Sequence, residues 1–474
     1  MESTTDEDRT AYLMLETVAA EVLHFAANQD SKSQIRVGRI LATLQKPVID
    51  MLQLRAIALT SGLPESAPCL RALVWKLFLG VISPVRAEWT ARLSKLRADY
   101  ADYVLDLINE PDLITSLREG VCTTPMLVLG PTLRVPTEDH PLSNLGTSRW
   151  RQFWKDSDIF DQVNKDVYRT RVETDFFHEW GSAAMNSVTV RSRRWCVEDS
   201  SVPTSPKSHS FVVADVIDPK THYDRICRIL FLFAKLNFGY VQGMNELLAP
   251  LYFVFVNDSV DGHYAESDAF FAFTTIMILQ RDIFTKTMDQ CNSGIMGRLI
   301  GVEELIRKHD LPVYFHLKKN GVKISFFALR WVLLLFSQEF DLFNIQILWD
   351  SLLADDDGQS RSSSLIAYVC VAMVVLVRQV LLASNEFGDM LKILQRYPPF
   401  DPREIINLAQ SLRRNSPSSP RLEKSESALS TASDDMVISA LDHPHSVTNS
   451  FYKSTLGIVK EKDRYIDTRF FTVH

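Results

Sequence analysis

The sequence predicts an all-α protein with a large helical core, and three observations lead there. Apolar residues recur at helical spacing over 34–60, over 89–107 and through most of 223–413. Segments 247–256 and 326–336 are apolar nearly all round, which suits helices at the centre of a core rather than on its surface. No internal repeat or sustained strand alternation is evident. At 474 residues the chain has room for two or three domains, or for one large domain with tails.

Residues 1–33 are polar and weakly periodic, with one helix expected over 12–27. From 34 to 60, Val37, Ile40, Leu41, Leu44, Val48, Met51, Leu52 and Leu54 keep a helical period. Gly62-Leu63-Pro64 breaks the chain before a helix carrying Arg71 and Trp75. Their i, i+4 spacing lets a guanidinium stack on an indole, as a domain-stabilising pair or as a partner contact. The helix over 89–107 aligns Leu93, Leu96, Tyr100, Tyr103 and Leu107. Residues 131–146, rich in Pro, Thr, Ser and Gly, read as a loop, and a helix carrying Arg169 follows.

Residues 183–215 interrupt the periodicity and include Ser200-Ser-Val-Pro-Thr-Ser-Pro206, which reads as a variable, disordered insertion. Helices resume at Tyr223 and continue to about Arg413. The apolar run 365–377 is too short to cross a bilayer and is expected as a buried core helix. Trp349-Asp350 reads as a buried indole beside a carboxylate paired to an arginine, with Arg330 and Arg281 as candidates. Residues 414–474 are Ser-rich and expected to be a mostly disordered tail, whose aromatic stretch 451–474 could dock.

Composition removes several functional classes. The net charge of −7 gives no general pull toward nucleic acid or anionic lipid. The six cysteines are scattered without metal-like spacing and read as reduced thiols of a cytosolic protein. The eleven histidines form no ligand cluster. The acidic start lacks an apolar region behind a basic flank, so no signal peptide is expected. Gly-x-x-x-x-Gly-Lys-Ser is missing, so the chain is not expected to bind a nucleotide of its own, and neither His-Glu-x-x-His nor Gly-x-Ser-x-Gly, the marks of two hydrolase classes, occurs.

Two short segments carry chemistry. Val163-Asn-Lys-Asp-Val-Tyr-Arg169 places Arg169 three residues after Asp166, and Tyr240-Val-Gln-Gly-Met-Asn245 places Gln242 at the entrance of an apolar helix. Taken alone, an Asp-x-x-Arg on a helix is an exposed ion pair worth about 0.3–0.5 kcal/mol, and a lone Tyr-x-Gln is a packing or capping element. Together they supply what phosphoryl transfer needs. An arginine places positive charge on phosphate oxygens, and a glutamine amide donates to the phosphate while accepting from a water.

In this order the two segments resemble the catalytic pair of the TBC-domain GTPase-activating proteins that act on Rab GTPases, whose pattern is Ile-x-x-Asp-x-x-Arg followed downstream by Tyr-x-Gln. The resemblance covers roughly 34–413 apart from the insertion. Gly62-Leu-Pro64, Arg71-Ala-Leu-Val-Trp75 and Trp349-Asp350 match further family motifs. Glu138-Asp-His-Pro-Leu142, Ser148-Arg-Trp150, Phe326-Phe-Ala-Leu-Arg-Trp331 and Ser337-Gln-Glu-Phe340 resemble a short branch in which the TBC domain fills nearly the whole chain. One departure touches the site: Asn237-Phe-Gly-Tyr240 lacks the family's Pro and about two residues before the glutamine.

The resemblance implies one TBC domain over 34–413 between a polar segment, 1–33, and a tail, 414–474. It implies Arg169 as an arginine finger held by Asp166 and Gln242 as a glutamine finger. Tyr240, Gly243, Asn245, Arg71 and Trp75 are then supporting or Rab-binding residues. The partner is a GTP-loaded Rab that carries GTP and Mg²⁺ itself, and the protein is expected in the cytoplasm, meeting endomembranes through the Rab in vesicle traffic. Two other readings stand beside it: a Rab-binding scaffold whose shortened loop keeps Gln242 from acting, and a helical adaptor with no GTPase partner.

Overall fold

The computed structural model describes residues 16–108 (apart from 21, 25–30 and 66), 149–178 (apart from 173), 219–284 (apart from 220), 294–355 and 364–416. The expected loop at 131–146, the insertion at 183–215 and the tail from 417 lie outside the described residues. Among the described residues the secondary structure is helical, with no strand beyond an isolated bridge between Val48 and Val85. The all-α reading therefore holds.

The helices used below are α1 (Ser31–Leu44), α2 (Met51–Ser61), α3 (Pro68–Phe78), α4 (Trp89–Leu107), α5 (Arg149–Tyr168), α6 (His222–Leu236), α7 (Met244–Val256) and α8 (Ala265–Leu279). They continue as α9 (Ile295–His309), α10 (Leu311–Lys319), α11 (Ala328–Leu333), α12 (Leu342–Ala354), α13 (Leu365–Leu376), α14 (Arg378–Ala383), α15 (Phe387–Gln395) and α16 (Pro402–Arg414).

Local chemistry sets the starts of these helices. Asp50 caps α2 by accepting from Gln53 N at 3.0 Å, and Asp341 caps α12 by accepting from Phe343 N and Asn344 N. Thr221 and Asp224 form a reciprocal capping box at the start of α6. The helical period expected over 34–60 is split into α1 and α2, because Pro47 cannot continue a helix. The apolar segment 326–336 likewise yields only the short α11, since Leu335 and Phe336 take left-handed backbone angles that end it.

Helix α7 occupies the centre. It packs against α3, α5, α6, α8 and α12, and its residues from Met244 to Tyr252 are all buried. Helix α13, the longest apolar run, is buried against α9, α11 and α16. Among the described residues no helix is long and apolar enough to cross a membrane.

Ionic side chains cross this core in pairs that satisfy one another. Asp350 on α12 receives Arg71 Nε at 3.0 Å, Arg71 Nη2 at 3.1 Å and the Trp75 indole N–H at 2.8 Å, all from α3. Arg71 also donates to Gln346 Oε1 at 3.1 Å. The family-like Arg-x-x-x-Trp and Trp-Asp motifs are thus two halves of one buried junction. This corrects the sequence expectation that Arg330 or Arg281 pairs with Asp350; Arg330 instead donates to Glu339 at 2.7 Å and 2.9 Å. A partner 279 positions away leaves no trace in local spacing. Burial raises the Asp350 carboxyl above the usual range, and the Arg71 charge opposes that rise.

Two further clusters tie α3, α4, α6 and α8. Lys76 lies 2.8 Å from Asp268 and within reach of Asp258 and Asp261. Arg228 forks onto Glu266 at 2.5 and 2.7 Å, and Tyr100 donates to the same carboxylate at 2.6 Å.

Removing one member of a buried, hydrogen-bonded pair strands the other charge and typically costs about 3–5 kcal/mol. Asp350→Ala is expected to lose stability on that scale in urea unfolding. Replacing Arg71 and Asp350 together by Met and Leu should lose less than Asp350→Ala alone.

Candidate functional site

The site begins where α5 ends. Phe160, Val163 and Val167 are buried on the face that α5 turns toward α6. The helix closes at Tyr168, so Arg169 stands in the following turn, one residue beyond the helix on which the sequence placed it. Thr170 N donates to Val167 O at 2.9 Å and Thr170 Oγ1 to Asp166 O at 3.0 Å, closing that turn.

Asp166 sits in the last turn of α5, where the helix dipole disfavours a negative charge, and it is buried. Two donors compensate. Arg169 Nη2 reaches Oδ1 at 2.5 Å, and the Tyr240 hydroxyl reaches Oδ2 at 2.9 Å. Burial raises the Asp166 carboxyl above its ordinary range, while the Tyr240 hydrogen bond and the Arg169 charge pull it back down. Burial and the neighbouring carboxylate push the Tyr240 phenol well up, so it remains a donor. Arg169 itself keeps 57% of its side chain exposed and so presents its remaining N–H groups to solvent.

Asn245, in the first turn of α7, completes the cluster. Its Nδ2 donates to Thr170 Oγ1 at 2.7 Å and to Asp166 O at 3.3 Å. Its Oδ1 accepts from Gly243 N and from the Tyr240 hydroxyl, both at 3.2 Å. The end of α5, the Tyr240 strap and the start of α7 are therefore one hydrogen-bonded unit. Gln242 lies inside that unit, in the turn before α7, half-buried, and among the described residues no hydrogen bond occupies its amide.

The connection before Gln242 is tight. Only residues 237–239 separate the end of α6 at Leu236 from Tyr240, and Gly239 at φ 94 lets the backbone reverse there. Gly243, at φ 101, provides the second reversal; a Cβ at this position would stand 2.8 Å from Leu334 Cδ2.

Asp166, Arg169, Tyr240, Gly243 and Asn245 thus share one hydrogen-bonded cluster, and Gln242 lies in the turn between Tyr240 and Asn245. Arg71 and Trp75 do not join them: both are buried at the α3–α12 junction with Asp350. Sequence reading missed Thr170, whose hydroxyl bridges the α5 turn to Asn245; a Thr next to the arginine was its only signal. Among the described residues no group of three or more His, Cys, Asp or Glu side chains could hold a metal ion.

Comparison with known proteins points to one family. A family model described as the Rab-GTPase-TBC domain matches residues 218–382, a span that holds Gln242 but not Arg169. TBC1 domain family member 13 of Homo sapiens is 33% identical over 407 residues, covering 80% of this chain and 98% of that protein. TBC1 domain family member 5 of Homo sapiens is 27% identical over 372 residues, covering 69% of this chain and 39% of that protein. Among solved structures, the Ypt/Rab-GAP domain of Gyp1p aligns with a TM-score of 0.54 at 18% identity, covering 81% of this chain and 98% of that one. That last likeness is one of fold.

The geometry at Gly243 is directly testable. Gly243→Ala meets both a positive φ and the Leu334 methyl, and is expected to lose more than about 1 kcal/mol in thermal or urea unfolding. Leu334→Ala, destabilising in itself because Leu334 is buried, should cost less in the Gly243→Ala background than in wild type, since there it also removes the clash.

Proposed function

The chain belongs to the TBC-domain family of Rab GTPase-activating proteins, and from that premise we propose that it binds a GTP-loaded Rab and accelerates hydrolysis of the bound GTP. The observation that carries this reading is the single hydrogen-bonded unit that holds the exposed Arg169 and flanks the turn of Gln242, whose amide is unengaged among the described residues. Arg169 would place its planar charge against the phosphate oxygens as the transition state spreads negative charge over them. Gln242 would hold the attacking water with its carbonyl and the phosphate with its N–H₂. GTP and Mg²⁺ arrive with the Rab, and this chain supplies side chains alone.

Supporting roles follow from the bonds already described. Asp166 orients Arg169 and anchors Tyr240, and Asn245 and Gly243 set the turn that presents Gln242. Tyr168 and Val172, each 69% exposed, flank Arg169 and offer apolar contact to the bound Rab. Arg71 and Trp75 support the fold beneath. The domain runs over 34–413, and switching off a Rab would place the protein at endomembranes, through its partner, in the control of vesicle traffic.

An arginine delivered in trans to a GTPase is worth about 10³ to 10⁵ in rate, roughly 4 to 7 kcal/mol of barrier. Phosphate release from a panel of GTP-loaded Rabs tests the reading. One or a few Rabs should be accelerated, with Arg169→Lys losing at least about 10³-fold and Gln242→Ala at least about 10²-fold, while affinity for GTP-loaded Rab changes little. Binding without acceleration across the panel would instead favour a Rab-binding scaffold. Collapse of binding in Arg169→Lys would make Arg169 an interface residue.

A further inference from the structure

Among the described residues, three non-glycine residues occupy the left-handed backbone region: Arg171 at φ 52, Leu335 at φ 47 and Phe336 at φ 63. That region is disfavoured for any side chain with a Cβ, and residues remain there when surrounding contacts over-determine them. All three meet at one junction. The Arg171 side chain, 5% exposed, donates through Nη1 to Phe340 O at 2.7 Å and through Nη2 to Ser337 O. Those carbonyls belong to the connection between α11 and α12 that opens with Leu335 and Phe336. The same guanidinium approaches a carboxylate on a third element: Nε lies 3.6 Å from Oε2 of Glu246, in the first turn of α7.

One buried cation in the turn that carries Arg169 therefore hydrogen-bonds the connection between α11 and α12 and faces, at ion-pair distance, the helix that Gln242 precedes. In sequence Arg171 follows Arg169 by two positions, and Glu246 follows Gln242 by four. None of these contacts belongs to the Asp166–Tyr240–Asn245 network, so the two finger-bearing segments are tied twice. Leu335 is fixed in turn, because the Trp349 indole donates to its carbonyl at 2.9 Å. The Leu334 methyl that crowds Gly243 lies in the same connection.

We propose that Arg171 is a positioning residue that locks the Arg169 turn onto α7, so that Arg169 and Gln242 keep a fixed separation. The residue type suits the role. A guanidinium fork can reach two carbonyls with its Nη groups while its Nε edge faces a carboxylate, whereas a lysine offers one point of charge. The proposal deepens the reading of Arg169 and Gln242 given above and rests on it for its catalytic consequence. Displacement of a catalytic group by about 1 Å can cost on the order of a hundredfold in rate.

The test uses the full-length protein, with Arg171→Ala and the milder Arg171→Lys compared with wild type. Amide hydrogen exchange in the free protein is the first readout. In Arg171→Ala, residues 167–174 and 241–246 are expected to exchange about tenfold faster or more, while α13 in the remote core keeps wild-type protection. Arg171→Lys should fall between the two. GTP hydrolysis by the Rabs that wild type accelerates is the second readout: kcat should fall about 10- to 100-fold with KM changed less than about threefold.

Unchanged exchange in both segments would overturn the proposal, as would loss of protection extending equally into α13, which would mark Arg171 as a general fold anchor. If Arg171→Ala does not fold, Arg171→Lys decides by the same two criteria. A wild-type protein that accelerates no Rab would overturn the reading of Arg169 and Gln242 as fingers, and the exchange measurement on the free protein would still decide for or against Arg171 as the lock.

Discussion

The arrangement depends on one buried carboxylate. Asp166 lies at the C-terminal end of α5, where neither burial nor the helix dipole favours a negative charge. It is stable there because Arg169 and Tyr240 bring donors to its two oxygens, at 2.5 and 2.9 Å. Each donor then inherits a position from it. Arg169 is aimed by a bond to a buried side chain that is also held by Tyr240, and Tyr240 ties down the strap that leads to Gln242. Satisfying one buried charge thus orders two residues that are 73 positions apart in the chain, since 242 − 169 = 73.

The rest of the fold keeps that carboxylate where it is. Helix α5 is held by apolar packing on α6, and α6 by the α4 and α8 helices with their shared Arg228–Glu266–Tyr100 cluster. Helix α7, which starts at the site, is buried on every side and pinned through α3 and α12 by the Arg71–Asp350–Trp75 junction. Buried ion pairs add little net stability compared with apolar packing, but they tolerate few alternative alignments, because a slip strands a charge. A site that must hold two side chains in fixed relation benefits from such a core.

Much of this was legible in the sequence. The helical period over 89–107 gave α4, the all-round apolar segment 247–256 gave α7, the apolar run 365–377 gave the buried α13, and Asp-x-x-Arg with Tyr-x-Gln marked the segments that are hydrogen-bonded at the site. What escaped reading has a common physical cause. Pairing Asp350 with Arg71 joins residues 279 positions apart, and the Arg171 contacts to Ser337 O and Phe340 O use backbone carbonyls, which carry no residue signature. The left-handed angles at Leu335 and Phe336 broke an apolar segment that periodicity alone reads as one helix. Arg169 fell just outside α5 because helix ends depend on capping and turn bonds, here made by Thr170.

Asp166 and Tyr240 are expected to act as one unit in presenting Arg169 and Gln242. A double-mutant cycle on Rab-stimulated GTP hydrolysis, with Asp166→Asn, Tyr240→Phe and the pair, measures it most directly. Strong non-additivity is expected, with the double variant losing little more rate than the worse single variant and a coupling energy of about 1–3 kcal/mol. Losses that simply add would contradict it, and would mean that the two residues serve the fingers separately.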